Sequence, residues 1–463
     1  MATAMIRVAC VALVALATAP LTRAVPAPPS TAWLHVNGPS HASTQVAFAR
    51  DDHGVLNVVS SQGDPATITD TLVGNDGTTI GSSTIATGFD GAGGLALLQM
   101  PDGSLRLLAA GGIRGGLGSH AVGINSFIRP FGSSTWSVDP TVYGGAVANA
   151  ADQVGATIAG NGWVFSTWSG AIVHIGFQPS DGDPSYQPDC CGADPQLVTD
   201  GTGAVFLAWI SNGHFAGTYV REIWPSQSSV FALPSGTTSG SFGLAAPFGH
   251  GAYVAYVDPT HQKVQLYNYL GGIQTLATGS FQVAKVFRAL GGRLWVMWGS
   301  GSGGIWVTRS NMAVTRFGPA QHLTLPPGTN GFYNAEADGS HGPLELFADV
   351  LTGTTGRGFW RTHVVPQATL KIRATYENIL RPNDVAHPTD VTIRYTLTDA
   401  GDGISKVPIL VDLPDGGLRL LMTDKHGVAE VAFGLWNRRR LKSLPKIHVN
   451  VPGYSIVVEN RGV

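Results

Sequence analysis

Seven segments of the chain share one plan: an apolar strand, a tight turn that ends in glycine, and a second apolar strand. A strand–turn–strand unit that recurs about every 40 to 50 residues is typical of β-propeller blades with four strands each. No helical periodicity competes with this interpretation. The repeat predicts an all-β fold over residues 31–366, a six- or seven-bladed β-propeller with seven blades favoured. The turn glycines are Gly54, Gly103, Gly162, Gly203, Gly251, Gly292 and Gly342.

Both ends of the repeat region carry further β signals. The strand around residues 31–38 precedes the first unit, and we predict that it completes the last blade, which would remove an exposed sheet edge. After Pro366 the pattern changes to alternating apolar residues with Asp-Gly turns. This pattern predicts a small antiparallel β-sandwich of about seven strands over residues 367–463.

The first 24 residues have the pattern of a secretory signal peptide. Arg7 supplies a positive charge, and residues 8–21 form an apolar run too short to span a bilayer. Cleavage is expected after Ala24, with Ala27 as the alternative. We therefore expect a secreted protein, extracellular or associated with the cell surface, without a transmembrane segment. A net charge of −2 argues against nucleic acid as a partner, because phosphate binding needs a basic surface.

Two hairpins contain a degenerate repeated motif. "FIRPFGSSTWSVDP" keeps Thr135, Trp136 and Pro140, and "VTRSNMAVTRFGP" keeps Ser310, Phe317 and Pro319 but has Met312 and Val314 in place of the aspartate and glycine. With these motifs the chain resembles the secreted, sialidase-like proteins of actinobacteria that carry Asp-box (BNR-type) blades. The resemblance implies ligand binding over the central face of the disc.

Cys190 and Cys191 are the only cysteines that remain after the expected cleavage. Outside the cell they should pair with each other, and such a vicinal disulfide would stiffen one loop rather than join distant segments. The surrounding residues, Pro195, Asp200, Gly203 and Trp209, are similar to a recurring segment of the same family. A structural kink without a role in binding is the alternative.

Blade topology assigns further residues to one face. If the glycine turns join strands 1 and 2 of each blade, the residues before strand 1 and after strand 2 lie on the opposite face, where propellers generally bind ligands. Exposed tryptophans there would suit sugar rings, whereas equivalent tryptophans that pack between blades are the alternative. The predicted ligand-binding residues are Arg114, His120, Trp168, Trp209, Asn212, His214, Asp258, His261, Trp298, Asp349 and Arg357.

Catalytic and metal-binding patterns are weak. A sialidase-type hydrolase would need an arginine cluster and a tyrosine–glutamate nucleophile pair. The Arg-Ile-Pro motif of that family is absent, and Tyr333 and Glu336 are the best pair available. The loop that contains Asp181, Asp183, Asp189 and Asp194 could hold calcium, with the first three as the predicted ligands, although a solvated acidic loop is the alternative. No other cofactor is indicated.

The C-terminal part has its own resemblance. Thr423, Asp424, Gly427 and Ala429 match the "TDxxGxAxx" hairpin of bacterial Ig-like modules, and Gly453 with Tyr454 matches their closing "GY". The resemblance implies a spacer or stalk. Together the patterns favour a non-catalytic binder of glycan or cell-wall polysaccharide. The alternatives are a divergent sialidase-like glycoside hydrolase, which would be an exo-glycosidase, and a scaffold that binds an extracellular protein.

Overall fold

The protein is described from a computed structural model. The described residues are 33–40, 46–62, 66–74, 77–113, 123–141, 153–169, 173–178, 192–211, 216–234, 241–301, 303–352, 356–379, 388–414, 416–436 and 440–461. Within them the chain is almost entirely β-structure, with one 3-10 turn at Leu290–Gly292. The predicted all-β, propeller-type fold is confirmed.

The strands up to Val364 form six antiparallel sheets. The first sheet contains β2 (Val46–Arg50), β3 (Leu56–Gln62), β4 (Ala66–Val73), β5 (Thr79–Gln99), β6 (Leu105–Ile113), β7 (Gly123–Arg129) and β8 (Ser137–Val138). It comprises two units, because the long β5 pairs with β4 through its first half and with β6 through its second. The next sheets are β9 (Gln153–Ile158), β10 (Val164–Ser169) and β11 (Val173–Gln178), then β12 (Gly192–Thr199), β13 (Val205–Ser211), β14 (Gly217–Trp224) and β15 (Phe231–Ala232).

Three further four-stranded sheets follow in the same manner. They contain β16 (Gly243–Ala245), β17 (Tyr253–Asp258), β18 (Lys263–Asn268) and β19 (Ile273–Thr278), then β20 (Val283–Arg288), β21 (Leu294–Ser300), β22 (Gly304–Arg309) and β23 (Gln321–Leu323). The last sheet contains β24 (Thr329–Asp338), β25 (Leu344–Thr352), β26 (Gly356–Val364) and the N-terminal strand β1 (Leu34–Ser40). Strand β1 pairs antiparallel with β26, so the predicted closure of the last blade by the N-terminal strand is confirmed.

The first strands of the seven units together form a closed inner ring. Strands β2, β5, β9, β12, β16, β20 and β24 contact each other in this cyclic order, and β24 contacts β2. This closed ring of strands is the arrangement of a propeller around its axis. The favoured count of seven blades stays a prediction, because any fourth strand that follows β11 would fall in residues outside the description.

The glycine turns join strands 1 and 2 of the units, as predicted, and all seven glycines have a positive φ. This backbone conformation costs a residue with a Cβ atom about 1–2 kcal/mol, which explains the choice of glycine. At Gly203 space is a second reason, since a Cβ atom there would lie 2.6 Å from Cα of Gly160 in the neighbouring unit.

The C-terminal part forms two sheets that share no strand with the propeller. One contains β27 (Gln367–Glu377), β28 (Thr389–Asp399), β29 (Asp402–Gly403), β32 (Val428–Leu435) and β34 (Ser455–Arg461), and the other β30 (Pro408–Asp412), β31 (Leu418–Met422) and β33 (Lys446–Val449). Their apolar faces enclose one core. The two-sheet arrangement agrees with the predicted sandwich, whereas the domain boundaries and the Ig-like assignment stay predictions.

The "TDxxGxAxx" segment differs from its expected role. Asp424 Oδ1 accepts hydrogen bonds from the N–H groups of His426 and Val428, and Gly427 has φ 73°, so a tight turn forms. The strands on either side, β31 and β32, belong to different sheets. The segment is therefore a corner between the two sheets rather than a hairpin.

A buried polar cluster joins the sandwich to the propeller. Asp399, which is 2% exposed, accepts a hydrogen bond from Tyr454 Oη at 3.0 Å and lies 3.3 Å from the guanidinium of Arg309 on β22. Arg293, which precedes β21, forms an ion pair with Asp402 at 2.7 Å. These contacts attach the two parts through side chains as well as through the connecting chain.

Candidate functional site

A central cavity of about 280 Å³ lies where the innermost strands meet, and every one of these seven strands contributes to its wall. Several of the wall residues are small, among them Ala47, Ala96, Gly155 and Ala335, and this leaves space at the axis. Apolar and aromatic side chains such as Phe48 and Phe347 alternate with polar ones. The polar wall residues are Gln153, Asp194, Gln196, Lys285, Asn334, Glu336 and Asp349.

One polar contact in the central cavity is an ion pair between Lys285 on β20 and Glu336 on β24. Lys285 Nζ lies 2.9 Å from Glu336 Oε1, and the lysine side chain is 3% exposed. Burial opposes the charge of Lys285, but the carboxylates of Glu336 and Asp194 outweigh burial, so the pKa of Lys285 is raised. Lys285 is therefore a fixed cation in the wall and not a neutral nucleophile.

The other partner, Glu336, has the opposite balance. Burial raises the pKa of the Glu336 carboxyl group, Lys285 opposes this rise, and the negative charge of Asp194 adds to it. The side chain of Glu336 nevertheless keeps 36% of its surface accessible. An accessible carboxyl group with a raised pKa is able to accept hydrogen bonds and to exchange protons.

Asp194 reaches the central cavity through a local distortion of β12. The residue has φ 50°, and the register between β12 and β13 shifts between Ala193 and Gln196. Such a bulge redirects a side chain, and aspartate tolerates a positive φ better than most residues. The N–H group of Asp194 donates a hydrogen bond to Gln153 Oε1, and Gln196 Nε2 donates to Asp194 Oδ2 at 3.3 Å. The polar groups of neighbouring strands therefore hold each other in place.

Asp349 and Asn334 complete the polar part of the wall. They lie opposite each other on β25 and β24, and Asp349 is 3% exposed. Of the sequence-predicted residues, Glu336 and Asp349 thus line the same cavity. Tyr333, the predicted partner of Glu336, is 54% exposed and is not a wall residue. The tyrosine–glutamate pair is not brought together in this cavity.

The tryptophans at equivalent positions are packing residues. Trp209 is 1% exposed and stacks on Tyr219 at 5.5 Å, and Trp298 is 4% exposed with the ring of Phe281 edge-on at 6.5 Å. Both belong to apolar cores between strands. Repeat equivalence places the two side chains on the same strand face, and that face is covered by neighbouring residues. Their predicted contact with ligand is therefore corrected in favour of the packing alternative.

Other predicted residues lie away from the central cavity or outside the description. Asp258 and His261 occupy the turn between β17 and β18, on the predicted face, where Asp258 Oδ2 lies 2.6 Å from His261 Nδ1. Trp168 and Arg357 are placed by their backbone alone, within β10 and β26. The remaining predictions lie outside the described residues: Arg114, His120, Asn212, His214, Cys190, Cys191, Asp181, Asp183 and Asp189.

Both degenerate Asp-box segments connect the third and fourth strands of a unit, β7 to β8 and β22 to β23. In the first segment Trp136 Nε1 donates a hydrogen bond to Asp70 Oδ2 at 3.1 Å. Arg129 lies 2.9 Å from the same carboxylate, which is inaccessible to solvent. Burial raises the pKa of Asp70, with Arg129 opposing the rise. This buried network joins strands of two adjacent units and serves packing.

Lys285 is a wall residue that the sequence patterns did not single out. The signal was present, because the segment "VAKVF" places one lysine in the middle of an apolar strand, and a lysine in such a position is buried only if it is paired. The sequence does not reveal which carboxylate pairs with Lys285, because Glu336 lies 51 residues further along the chain.

In the part of the chain with described coordinates, no group of three or more histidine, cysteine, aspartate or glutamate side chains is arranged to hold a metal ion. No helix formed by those residues is long and apolar enough to cross a membrane.

No protein-family model matches the chain, and no curated protein matches it. Among solved structures, a polysaccharide lyase is similar with 11% identity and a TM-score of 0.44, covering 70% of this chain and 90% of its own. A mutant of the Aleuria aurantia lectin in complex with Fucα1-6GlcNAc is similar with 10% identity and a TM-score of 0.39. The match covers 70% of this chain and 93% of the lectin chain. The α-L-arabinanase of Penicillium chrysogenum, complexed with arabinobiose, is similar with 13% identity and a TM-score of 0.38. The match covers 60% of this chain and 99% of the arabinanase chain.

Proposed function

We propose that the protein is a non-catalytic binding protein that takes a sugar unit of a glycan or cell-wall polysaccharide into the central cavity. The observation that carries the proposal is the composition of the wall, where amide and carboxylate groups alternate with aromatic and aliphatic side chains around about 280 Å³. Sugar rings need both kinds of contact, because their hydroxyl groups seek hydrogen-bond partners and their C–H faces pack on apolar surface.

The proposal includes a place of action outside the cell. It rests on the expected signal peptide, and the sandwich would act as a spacer in the manner of Ig-like modules. The relationship to sialidase-like Asp-box proteins is part of the same proposal. It is supported by the position of the two degenerate boxes between third and fourth strands.

Hydrolysis is the second candidate function, and one observation favours it. Asp194, Glu336 and Asp349 line the same cavity, and the raised pKa of Glu336 suits a general acid. Against a sialidase-type reaction, the described wall residues include no arginine to bind a carboxylate. Lys285, the cation among the described wall residues, is engaged by Glu336. Binding without turnover is therefore the better supported function.

A glycan array separates the candidates. The mature protein is applied with and without calcium, and both retained protein and loss of printed sugar are measured. Retention without loss supports the binding function, and a calcium requirement would assign Asp181, Asp183 and Asp189 as ligands. Loss of terminal sugars that disappears in Glu336→Gln would establish a hydrolase. A blank array would contradict both functions and favour a scaffold for an extracellular protein.

A control variant ties retention to the central cavity. Asn334→Ala removes a wall amide, whereas Asp424→Asn changes an exposed turn of the sandwich. We expect Asn334→Ala to reduce retention and Asp424→Asn to leave it unchanged. Equal retention by both variants would place the sugar elsewhere on the protein.

A further inference from the structure

The smaller sheet of the sandwich turns an apolar face away from the core. Alternate residues of a strand point to opposite sides of a sheet. Ile409, Val411 and Leu421 belong to the sandwich core or pack against it, so the residues that alternate with them point outward. Strand β30 lies between β31 and β33, and its register with β31 places outward residues side by side. The apolar ones are Pro408, Leu410, Leu418, Leu420 and Met422, which we call the β31 face.

The β31 face is strongly exposed. Leu418, Leu420 and Met422 are 60%, 67% and 54% exposed, although they are neighbours on one side of one strand. Among the described residues, β31 is the edge strand of its sheet. Single exposed apolar side chains are ordinary, whereas a contiguous apolar patch marks a surface that contacts a partner.

Basic side chains surround the β31 face. Lys406 precedes β30, and Lys425 lies in the corner that follows β31. Two carboxylates lie among them, because Asp412 is opposite Lys446 on β33 and Asp424 is in the corner. This rim therefore carries four positive and two negative charges. Its exposed basic residues are Lys406, Arg419, Lys425 and Lys446.

The charge of the whole chain is divided in the same sense. Residues 367–463 contain 13 lysines and arginines against 10 aspartates and glutamates. Residues 1–366 contain 15 against 20. A negatively charged surface would therefore attract the C-terminal part of the chain and repel the part that forms the propeller.

The rim decides between two partners for the β31 face. A second copy of the chain would bury the leucines face to face, but it would also bring two positive rims together. An anionic phospholipid bilayer meets both features, because apolar side chains enter the boundary of the acyl chains while lysine and arginine stay at the headgroup phosphates. Charge complementarity therefore favours the bilayer.

We propose that the β31 face binds the sandwich to the surface of an anionic phospholipid bilayer. Leu418, Leu420 and Met422 insert, and the basic rim contacts the headgroups. This inference goes beyond the proposed function, because it concerns a different part of the molecule and needs no sugar. It makes the sandwich an anchor that holds the propeller at a membrane surface.

Vesicle flotation with the mature protein tests the inference. One set of vesicles contains phosphatidylcholine alone, and the other contains in addition about 30 mol% phosphatidylglycerol, which supplies the negative surface potential. We expect the partition coefficient to be at least about tenfold higher for the anionic vesicles. The difference should decrease as salt is added, because salt screens the attraction of the rim to the headgroups.

Two variants locate the contact. Leu420→Ser removes the most exposed leucine of the β31 face, and Val458→Ser is the matched control, since Val458 is 48% exposed on β34 of the other sheet. We expect Leu420→Ser to lower partition into anionic vesicles about tenfold and Val458→Ser to leave it unchanged. Both positions are exposed, and thermal unfolding verifies that both variants are folded.

Several results would overturn the inference. Equal partition into both kinds of vesicle, no flotation with either, or an equal decrease in the two variants would each contradict binding of anionic lipid by the β31 face. Light scattering that shows a dimer in solution, dissociated by Leu420→Ser, would instead assign this face to contact between copies. The glycan array contains no lipid and the vesicles contain no sugar, so this inference and the proposed function fail separately.

Discussion

Asp200 connects two neighbouring blade turns, and its replacement gives a sharp test of how the ring is held together. Its side chain is inaccessible to solvent. Oδ1 accepts hydrogen bonds from the N–H groups of Thr202 at 2.8 Å and Ala204 at 3.0 Å. Oδ2 accepts one from the N–H group of Gly251 at 2.9 Å and lies 2.9 Å from His250 Nδ1. One carboxylate therefore joins the β12–β13 turn to the β16–β17 turn.

Asp200→Ala would leave the buried N–H groups of Ala204 and Gly251 without their acceptors. Each such group costs about 1–3 kcal/mol, so the free energy of unfolding of the propeller should fall by about 2–6 kcal/mol. Asp200→Asn keeps one side-chain oxygen as an acceptor within its own turn, so the free energy of unfolding should fall by only about 1–3 kcal/mol. Chemical denaturation followed by tryptophan fluorescence measures both values.

The pH dependence of the free energy of unfolding provides an independent test with the same variants. Burial would raise the pKa of Asp200, but the hydrogen bonds from Thr202 and Gly251 outweigh it, and the folded pKa lies below the ordinary value of 3.8. The stabilisation by Asp200 is therefore fully present above pH 3.8 and is lost as the pH falls through the lower folded pKa. Asp200→Asn should show a shallower acid-induced loss of stability in this window.

Asp424→Ala is the matched control, because Asp424 accepts the same two turn hydrogen bonds at an exposed position of the sandwich. It should leave the unfolding of the propeller unchanged. If Asp200→Ala lowers the free energy of unfolding by less than about 1 kcal/mol, the Asp200 carboxylate does not hold the two turns together. An equal decrease in Asp424→Ala would contradict the same claim.

Three further changes test other parts of the fold. Gly162→Ala and Gly203→Ala both place alanine at a positive φ, but only the second meets backbone within 3 Å, so calorimetry should show the larger decrease in melting temperature for Gly203→Ala. Asp399→Ala removes the buried acceptor between the sandwich and the propeller, and calorimetry should then resolve two thermal transitions that lie further apart than in the wild type. Lys285→Met leaves the carboxylate of Glu336 without its cation, so the free energy of unfolding should fall by about 3–5 kcal/mol. Adding Glu336→Gln should restore part of that loss, and a double variant less stable than Lys285→Met would contradict the ion-pair interpretation.

The turns and the closure of the ring were predictable from the sequence because they depend on local rules. A positive φ requires glycine, and the seven turn glycines therefore mark strands 1 and 2 of the units. The strand at residues 34–40 could be assigned to the last blade because a ring leaves no unpaired edge. Local patterns were sufficient for these features.

The central cavity was only partly predictable. Glu336 and Asp349 were singled out, whereas Lys285 and its pairing depend on contacts between strands about 50 residues apart. Trp209 and Trp298 show the opposite error, because a recurring aromatic residue looks the same in sequence whether it binds ligand or packs between strands. Burial decides between the two, and burial follows from the neighbouring units rather than from the repeat itself.

A crystal structure with the glycan selected by the array tests the central claim most directly. We predict density for a sugar ring in the central cavity, with its donor groups within hydrogen-bond distance of at least one of Asp194, Glu336 and Asp349. A sugar that is well ordered elsewhere, for example on the sandwich or at the β17–β18 turn, with no density at the axis, would contradict the assignment of this cavity as the binding site.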